Sequence, residues 1–236
     1  MKAAERIIVA LDTPDPARAR EIVESLAPDY AHFKTGLEFF CSGGPRAVSD
    51  LQSSGANLFL DLKLHDIPNT VRGAARALAS LDVWMTNLHA SGGAEMMRAA
   101  REELPDALLI AVTVLTSFDE DTFRGHIGTD SSVEDTVRRW ALASREAGLD
   151  GVVCSPQEIR VVREEVGRDF LIVTPGIRPA WAARGDQRRV TTPAEALELG
   201  ADYLVIGRPI TAAPDPREAA QRIAMEIEQA EGSELT

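Results

Sequence analysis

The chain has 236 residues, 44% of them hydrophobic, and a formal charge of −12. That length can bury one large α/β core or two small ones. The acidic balance argues against non-specific binding to nucleic acid or to a membrane surface, either of which needs a basic face.

Two distant cysteines, Cys41 and Cys154, have no partner spacing, so neither a disulfide framework nor a zinc motif is indicated. No apolar run approaches the ~18 residues of a membrane span. The expectation is a soluble cytoplasmic protein with buried free thiols.

The chain reads as a series of strand-then-helix units. Arg6 to Asp12 is an apolar run ending in a carboxylate, and Thr13-Pro14 offers a cap and first-turn proline for a helix to about Leu26. His32 to Glu38 is a second strand, with a helix from Pro45 to Ser54 closed by Gly55. Leu58 to Asp66 is the third, followed by a helix from Pro68 or Asn69 to Leu81. Trp84 to Ala90 and Leu108 to Thr116 are the fourth and fifth, with helices over Ala94 to Leu104 and, after a longer polar connection, Val133 to Ala147. Gly151 to Cys154 precedes a helix announced by Ser155-Pro156-Gln157-Glu158, and Leu171 to Pro175 precedes one opening at Thr192-Pro193-Ala194-Glu195. Both carry capping-box spacing. Tyr203 to Gly207 is the eighth strand, and the last helix follows Asp215-Pro216 with a stripe at Ala219, Ala220, Ile223, Ala224, Ile227 and Ala230.

Eight strands alternating with eight helices predict an α/β fold, a single-domain (β/α)8 TIM barrel over residues 1–236 with a short polar tail after about residue 232. A doubly wound open sheet is the competing architecture. It would be expected to carry a glycine fingerprint in its first turn, where this chain has Asp12-Thr13-Pro14-Asp15.

In a barrel the chemistry sits at the C-terminal strand ends. The polar residues there are Asp12, Lys34, Asp61, Lys63, Asp66 and Thr116, then Arg178 after strand seven and Gly207-Arg208 after strand eight. Along strand three, alternation puts Leu60, Leu62 and Leu64 on one face and Asp61, Lys63 and His65 on the other. Charges in a buried strand lose hydration, which points to a site, while an edge strand with a solvated face is the bland alternative. Gly207 lets backbone N–H groups approach an oxyanion that Arg208 can grip, unless Arg208 is a plain surface residue. The stretch from Arg178 to Val190, with Arg184, Gln187, Arg188 and Arg189, reads as a lid over an anion or as an ordinary solvated loop. The four histidines share no metal-ligand spacing with carboxylates, and Trp84, Trp140 and Trp181 read as packing.

The DLKLHDIPNT stretch of residues 61–70, with FKTGLE before it and VTPGIRP, GDQ and VIGRPI after it, resembles the bacterial orotidine 5′-phosphate decarboxylase family from Ile8 to about Pro216. The D-x-K-x-x-D core is shared with other phosphosugar barrels; the full set in order is more specific. The resemblance implies a homodimer with active sites shared between subunits and a small nucleotide as substrate. It implies ribose contacts from Asp12, a charged network of Lys34, Asp61 and Lys63, and Asp66 and Thr70 from the other subunit. It places Thr116 on the pyrimidine and Arg178, Gln187, Gly207 and Arg208 on the phosphate. Lys34, Asp61, Lys63 and Asp66 are the expected catalytic set.

The chemistry this implies is demanding. Loss of CO2 from orotate leaves an in-plane anion at pyrimidine C6 that the ring π system cannot delocalise. An ammonium against C6, assigned to Lys63, would stabilise that anion and then protonate it. Asp61 would repel the departing carboxylate or orient Lys63. No metal or cofactor is expected. A related sugar-phosphate lyase using magnesium, and a non-catalytic phosphate-ligand sensor on the same barrel, are the competing readings.

Overall fold

The computed structural model describes residues 1–182 and 191–233, the last three by backbone alone. Its strands are β1 Ile7–Ala10, β2 His32–Gly36, β3 Asn57–Leu64, β4 Met85–His89, β5 Leu108–Val112, β6 Gly151–Val153, β7 Leu171–Thr174 and β8 Tyr203–Ile206. They pair in sequence order and β8 returns to β1, closing a barrel, with registers such as Ile8 opposite His32 and Ile8 opposite Val205 in parallel. The expected α/β barrel is therefore the observed fold, and the open-sheet alternative falls away.

Between the strands lie α1 Pro16–Leu26, α2 Leu37–Gln52, α3 Pro68–Ala79, α4 Gly93–Arg101, α5 Glu120–Ile127, α6 Val133–Glu146, α7 Ile159–Val166, α8 Pro193–Leu199, α9 Arg208–Thr211 and α10 Pro216–Ser233. Several departures from the sequence reading have local causes. The first helix is capped by Asp15, whose Oδ1 accepts the Ala17 N–H at 2.9 Å, with Pro16 rather than Pro14 in its first turn. The second begins at Leu37, well before Pro45, and breaks at Gly44, whose φ of +61° only glycine adopts freely. The polar connection after β5 holds α5, capped by Asp119 and ended by Gly128 in the left-handed region. At Ser155–Glu158 only half of the expected capping box forms: the Glu158 carboxylate accepts the Ser155 N–H at 2.9 Å, and the helix starts at Ile159. The box at Thr192 and Glu195 is complete.

Contacts within the chain define two compact units, one of residues Met1–Asp61 with Pro175–Thr236 and one of Leu62–Thr174. In the first, all four residues of β1 are buried, and α10 buries Ala219, Ala220, Ile223, Ala224 and Ile227 along one stripe. Arg222 of α10 also lays its guanidinium 4.4 Å above the Trp181 ring, so that tryptophan packs as expected. In the second, Asp150 accepts both the Arg101 guanidinium at 2.6 Å and the Leu109 N–H at 2.7 Å, tying α4 to the start of β5. Cys154 is a buried thiol whose pKa burial pushes well up, while Cys41 is exposed. Among the described residues no helix is long and apolar enough to cross a membrane.

Candidate active site

In the first unit, β2 presents Lys34 between two carboxylates. Its Nζ lies 3.2 Å from Asp12 Oδ1, just past β1, and 3.3 Å from Asp61 Oδ2 in β3. The partners differ sharply in exposure: the Asp61 side chain is 12% exposed and that of Asp12 is 68%. The pair with Asp61 is thus the desolvated one, and the Asp12 carboxylate is open to solvent. Parallel pairing sets the last residue of β2, Gly36, opposite Asp61, and β3 runs on to Leu64.

Gly207, after β8, stands beside this group. A Cβ there would lie 3.5 Å from Asp12 Oδ2 and 3.5 Å from Ala10 Cβ, so the absent side chain leaves backbone open next to the aspartate. Arg208 follows as the first residue of α9, exposed, and Arg178 is buried at 7% exposure after β7, its N–H donating to the Thr191 carbonyl at 3.1 Å. Gln187, with Arg184, Arg188 and Arg189, lies outside the described residues.

The second unit carries the rest of the motif, and here the alternation expected of strand three ends early. Lys63 has φ +52°, a left-handed backbone in a residue with a Cβ, near the end of β3. Such a conformation costs roughly 1–3 kcal/mol and persists where surrounding structure holds it. The restraint is visible: the Lys63 N–H donates to Asn87 Oδ1 at 2.7 Å, and Asn87, in β4, is 1% exposed. His65 therefore does not continue one face with Asp61. It lies past the strand end, exposed, with its ring centroid 5.4 Å from that of His89 and its Nε2 3.4 Å from Ser91 Oγ.

Asp66 and Thr70 are both exposed, and Asp66 Oδ1 accepts the Ile67 N–H at 2.6 Å, fixing the turn into α3. Ile67 between them is 67% exposed. A cavity of about 320 Å³ is lined by His65, Asp66, Ile67, Pro68 and Gly92. Thr116 is four residues beyond β5, not at its end, in an exposed turn closed by the Phe118 N–H to the Leu115 carbonyl at 3.0 Å. Just past the strand, Thr113 still gives its backbone N–H to the Val153 carbonyl at 3.1 Å and adds its hydroxyl to the same oxygen at 2.9 Å.

This ordered set of charged strand ends on a parallel barrel can be compared with known proteins. The profile of the family described as orotidine 5′-phosphate decarboxylase / HUMPS matches residues 5–223. The chain belongs to this family. A Moorella thermoacetica protein named orotidine 5′-phosphate decarboxylase is 58% identical over 237 aligned positions, covering 97% of this chain and 94% of the relative. One from Syntrophomonas wolfei with the same name is 48% identical, covering 97% and 100%. The crystal structure of orotidine 5′-phosphate decarboxylase from Lactobacillus acidophilus superposes with a TM-score of 0.85 at 38% identity, covering 94% of this chain and 99% of that one.

Sequence reasoning within the orotidine 5′-phosphate decarboxylase / HUMPS framework missed Asn87. Its signal was present: an amide inside the short strand run Met85–His89, where a buried polar side chain requires a partner. What the sequence did not carry was that the partner is a backbone N–H on the neighbouring motif.

Proposed function

We propose that this chain decarboxylates orotidine 5′-phosphate to uridine 5′-phosphate without a metal or organic cofactor, with Lys63 stabilising and then protonating the C6 carbanion. The observation that carries the reading is the left-handed Lys63 standing two residues beyond an Asp61 already paired with Lys34. Backbone strain of that kind collects where chemistry needs a group held in one place. The family membership and the shared name of the relatives supply the reaction.

In this scheme Asp12 binds ribose hydroxyls, which its exposed carboxylate and its neighbour Lys34 support. Lys34, Asp61 and Asp66 make up the catalytic set with Lys63, and Thr116 contacts the pyrimidine. Arg178, Gln187, Gly207 and Arg208 hold the phosphate, whose binding energy is used away from the reacting carbon to desolvate it. The protein works as a cytoplasmic homodimer of one-domain chains, each lending Asp66 and Thr70 to the other's site. The exposure of those two residues, and of the large apolar Ile67 between them, supports that sharing.

The deciding experiment follows ultraviolet absorbance of orotidine 5′-phosphate with purified protein and a metal chelator. Conversion to uridine 5′-phosphate, abolished in Lys63→Ala while nucleotide binding is kept, is the expected result. Turnover lost on chelation would move the reading to a magnesium-dependent sugar-phosphate lyase, and binding with no turnover to a sensor.

A further inference from the structure

We propose that Asn87 is a positioning residue for Lys63: its side-chain oxygen holds the Lys63 backbone in the left-handed conformation from which the ammonium serves the reaction. The inference rests on the reading of Lys63 as the catalytic acid and adds a residue that the motif itself does not contain.

A strand residue ordinarily spends its N–H on the neighbouring strand's backbone. Lys63, at φ +52°, turns its N–H onto a side chain instead, Asn87 Oδ1 at 2.7 Å. The acceptor is well chosen for the task. Asn87 is 1% exposed, so water does not compete for the bond, and it sits in mid-strand, with neighbours on β5 fixed by the pairing of Asn87 with Ile110. A rigid, dry acceptor on one strand thus sets the backbone rotation of a residue on another.

The consequence falls on direction. Were Lys63 extended, its side chain would follow the strict alternation of β3 and stand on the face of Asp61; the left-handed turn gives its Cα–Cβ bond a different heading. Without the Asn87 acceptor, nothing in this bond opposes relaxation to the extended form, and a four-carbon side chain amplifies a small backbone rotation at its tip. Misplacement of a reacting group by about 1 Å can cost on the order of 100-fold in rate.

The test compares Asn87→Ala, Asn87→Asp and Lys63→Ala in the full-length protein by steady-state kinetics, uridine 5′-phosphate affinity, thermal unfolding and hydrogen exchange at the Lys63 amide. Asn87→Ala is expected to lose about 100-fold in kcat with KM, nucleotide affinity and Tm near wild type and with faster exchange at Lys63. Asn87→Asp, which keeps an oxygen in the same place, is expected to recover most of kcat. An unchanged kcat in Asn87→Ala, a loss confined to KM, or a loss that tracks Tm would each overturn the proposal. If Asn87→Ala does not fold, Asn87→Asp decides: wild-type Tm with a crippled kcat overturns it, and wild-type values of both support it. Lys63→Ala separates the two readings. Full activity there removes the Lys63 assignment and this proposal with it, whereas an inactive Lys63→Ala beside a fully active Asn87→Ala sinks only the role of Asn87.

Discussion

Lys34 Nζ lies 3.3 Å from Asp61 Oδ2, and both side chains are only 12% exposed. An ion pair this dry gains little over an apolar pair of the same volume, yet breaking one half of it is costly, because the other charge is left where water cannot reach it. The pair therefore makes a poor structural brace and an effective way of fixing a carboxylate within β3.

Its coupling can be measured directly. Lys34→Ala is expected to destabilise the fold by about 1–3 kcal/mol, and adding Asp61→Asn in the same background should return part of that loss. Asp12→Asn, at the exposed end of the same lysine, should change stability by less than about 1 kcal/mol. Urea unfolding of wild type, Lys34→Ala, Asp61→Asn and the Lys34→Ala/Asp61→Asn double closes the cycle; strictly additive values would show that the pair is not coupled.

Tyr30 supplies a pH dependence with a definite sign. Burial, reinforced by Asp29 and Glu228 and opposed by Arg217, pushes its phenol up to about 12 from the ordinary 10. The fold favours the neutral phenol, so its contribution to stability is complete below pH 10 and is lost as pH rises through 12. Tyr203, the other tyrosine, is also raised, chiefly by burial. In a Tyr203→Phe background, where Tyr30 is the one tyrosine left, tyrosinate absorbance should be nearly absent at pH 10 in the folded protein, and Tyr30→Phe should extend the alkaline limit of folding relative to wild type. Ionisation of Tyr30 at the ordinary pH with the fold intact would contradict this.

The barrel was legible because its strands are short apolar runs punctuated by proline, glycine and capping residues. Thr192 with Glu195 shows how local that information is, since the whole cap lies within four residues. Of the expected network of Lys34, Asp61 and Lys63, Lys34 and Asp61 do meet, and Asp12 joins them on the same lysine. The α5 helix escaped because its short sequence Glu120–Ile127 buries only Phe123, too little for a hydrophobic stripe. The left-handed turn at Lys63 escaped for a different reason. A positive φ in a lysine has no sequence signature, and the group that stabilises it, Asn87, lies 24 positions away on another strand. Strand-period reasoning assumes an extended backbone, and it fails at the residue on which the proposed chemistry depends.

One substitution type placed at two glycines should give opposite signs. Gly151 opens β6 opposite Leu171, and a Cβ there would stand 2.5 Å from the Leu171 carbonyl oxygen and 2.6 Å from its Cβ. The oxygen is backbone held in the sheet, so relief requires the strands to part. Gly151→Ala is expected to cost about 3 kcal/mol, the upper end of overpacking losses, and to lower Tm by on the order of 6–12 °C. Gly125, inside α5, has open space within 4 Å of an added Cβ. There alanine removes unfolded-state freedom without a clash, and Gly125→Ala should stabilise by about 0.5–1 kcal/mol. Thermal unfolding of the two variants beside wild type checks both signs. A Gly151→Ala protein as stable as wild type would mean that β6 and β7 separate at that point without loss, and the close approach of Gly151 to Leu171 would not be what holds their register.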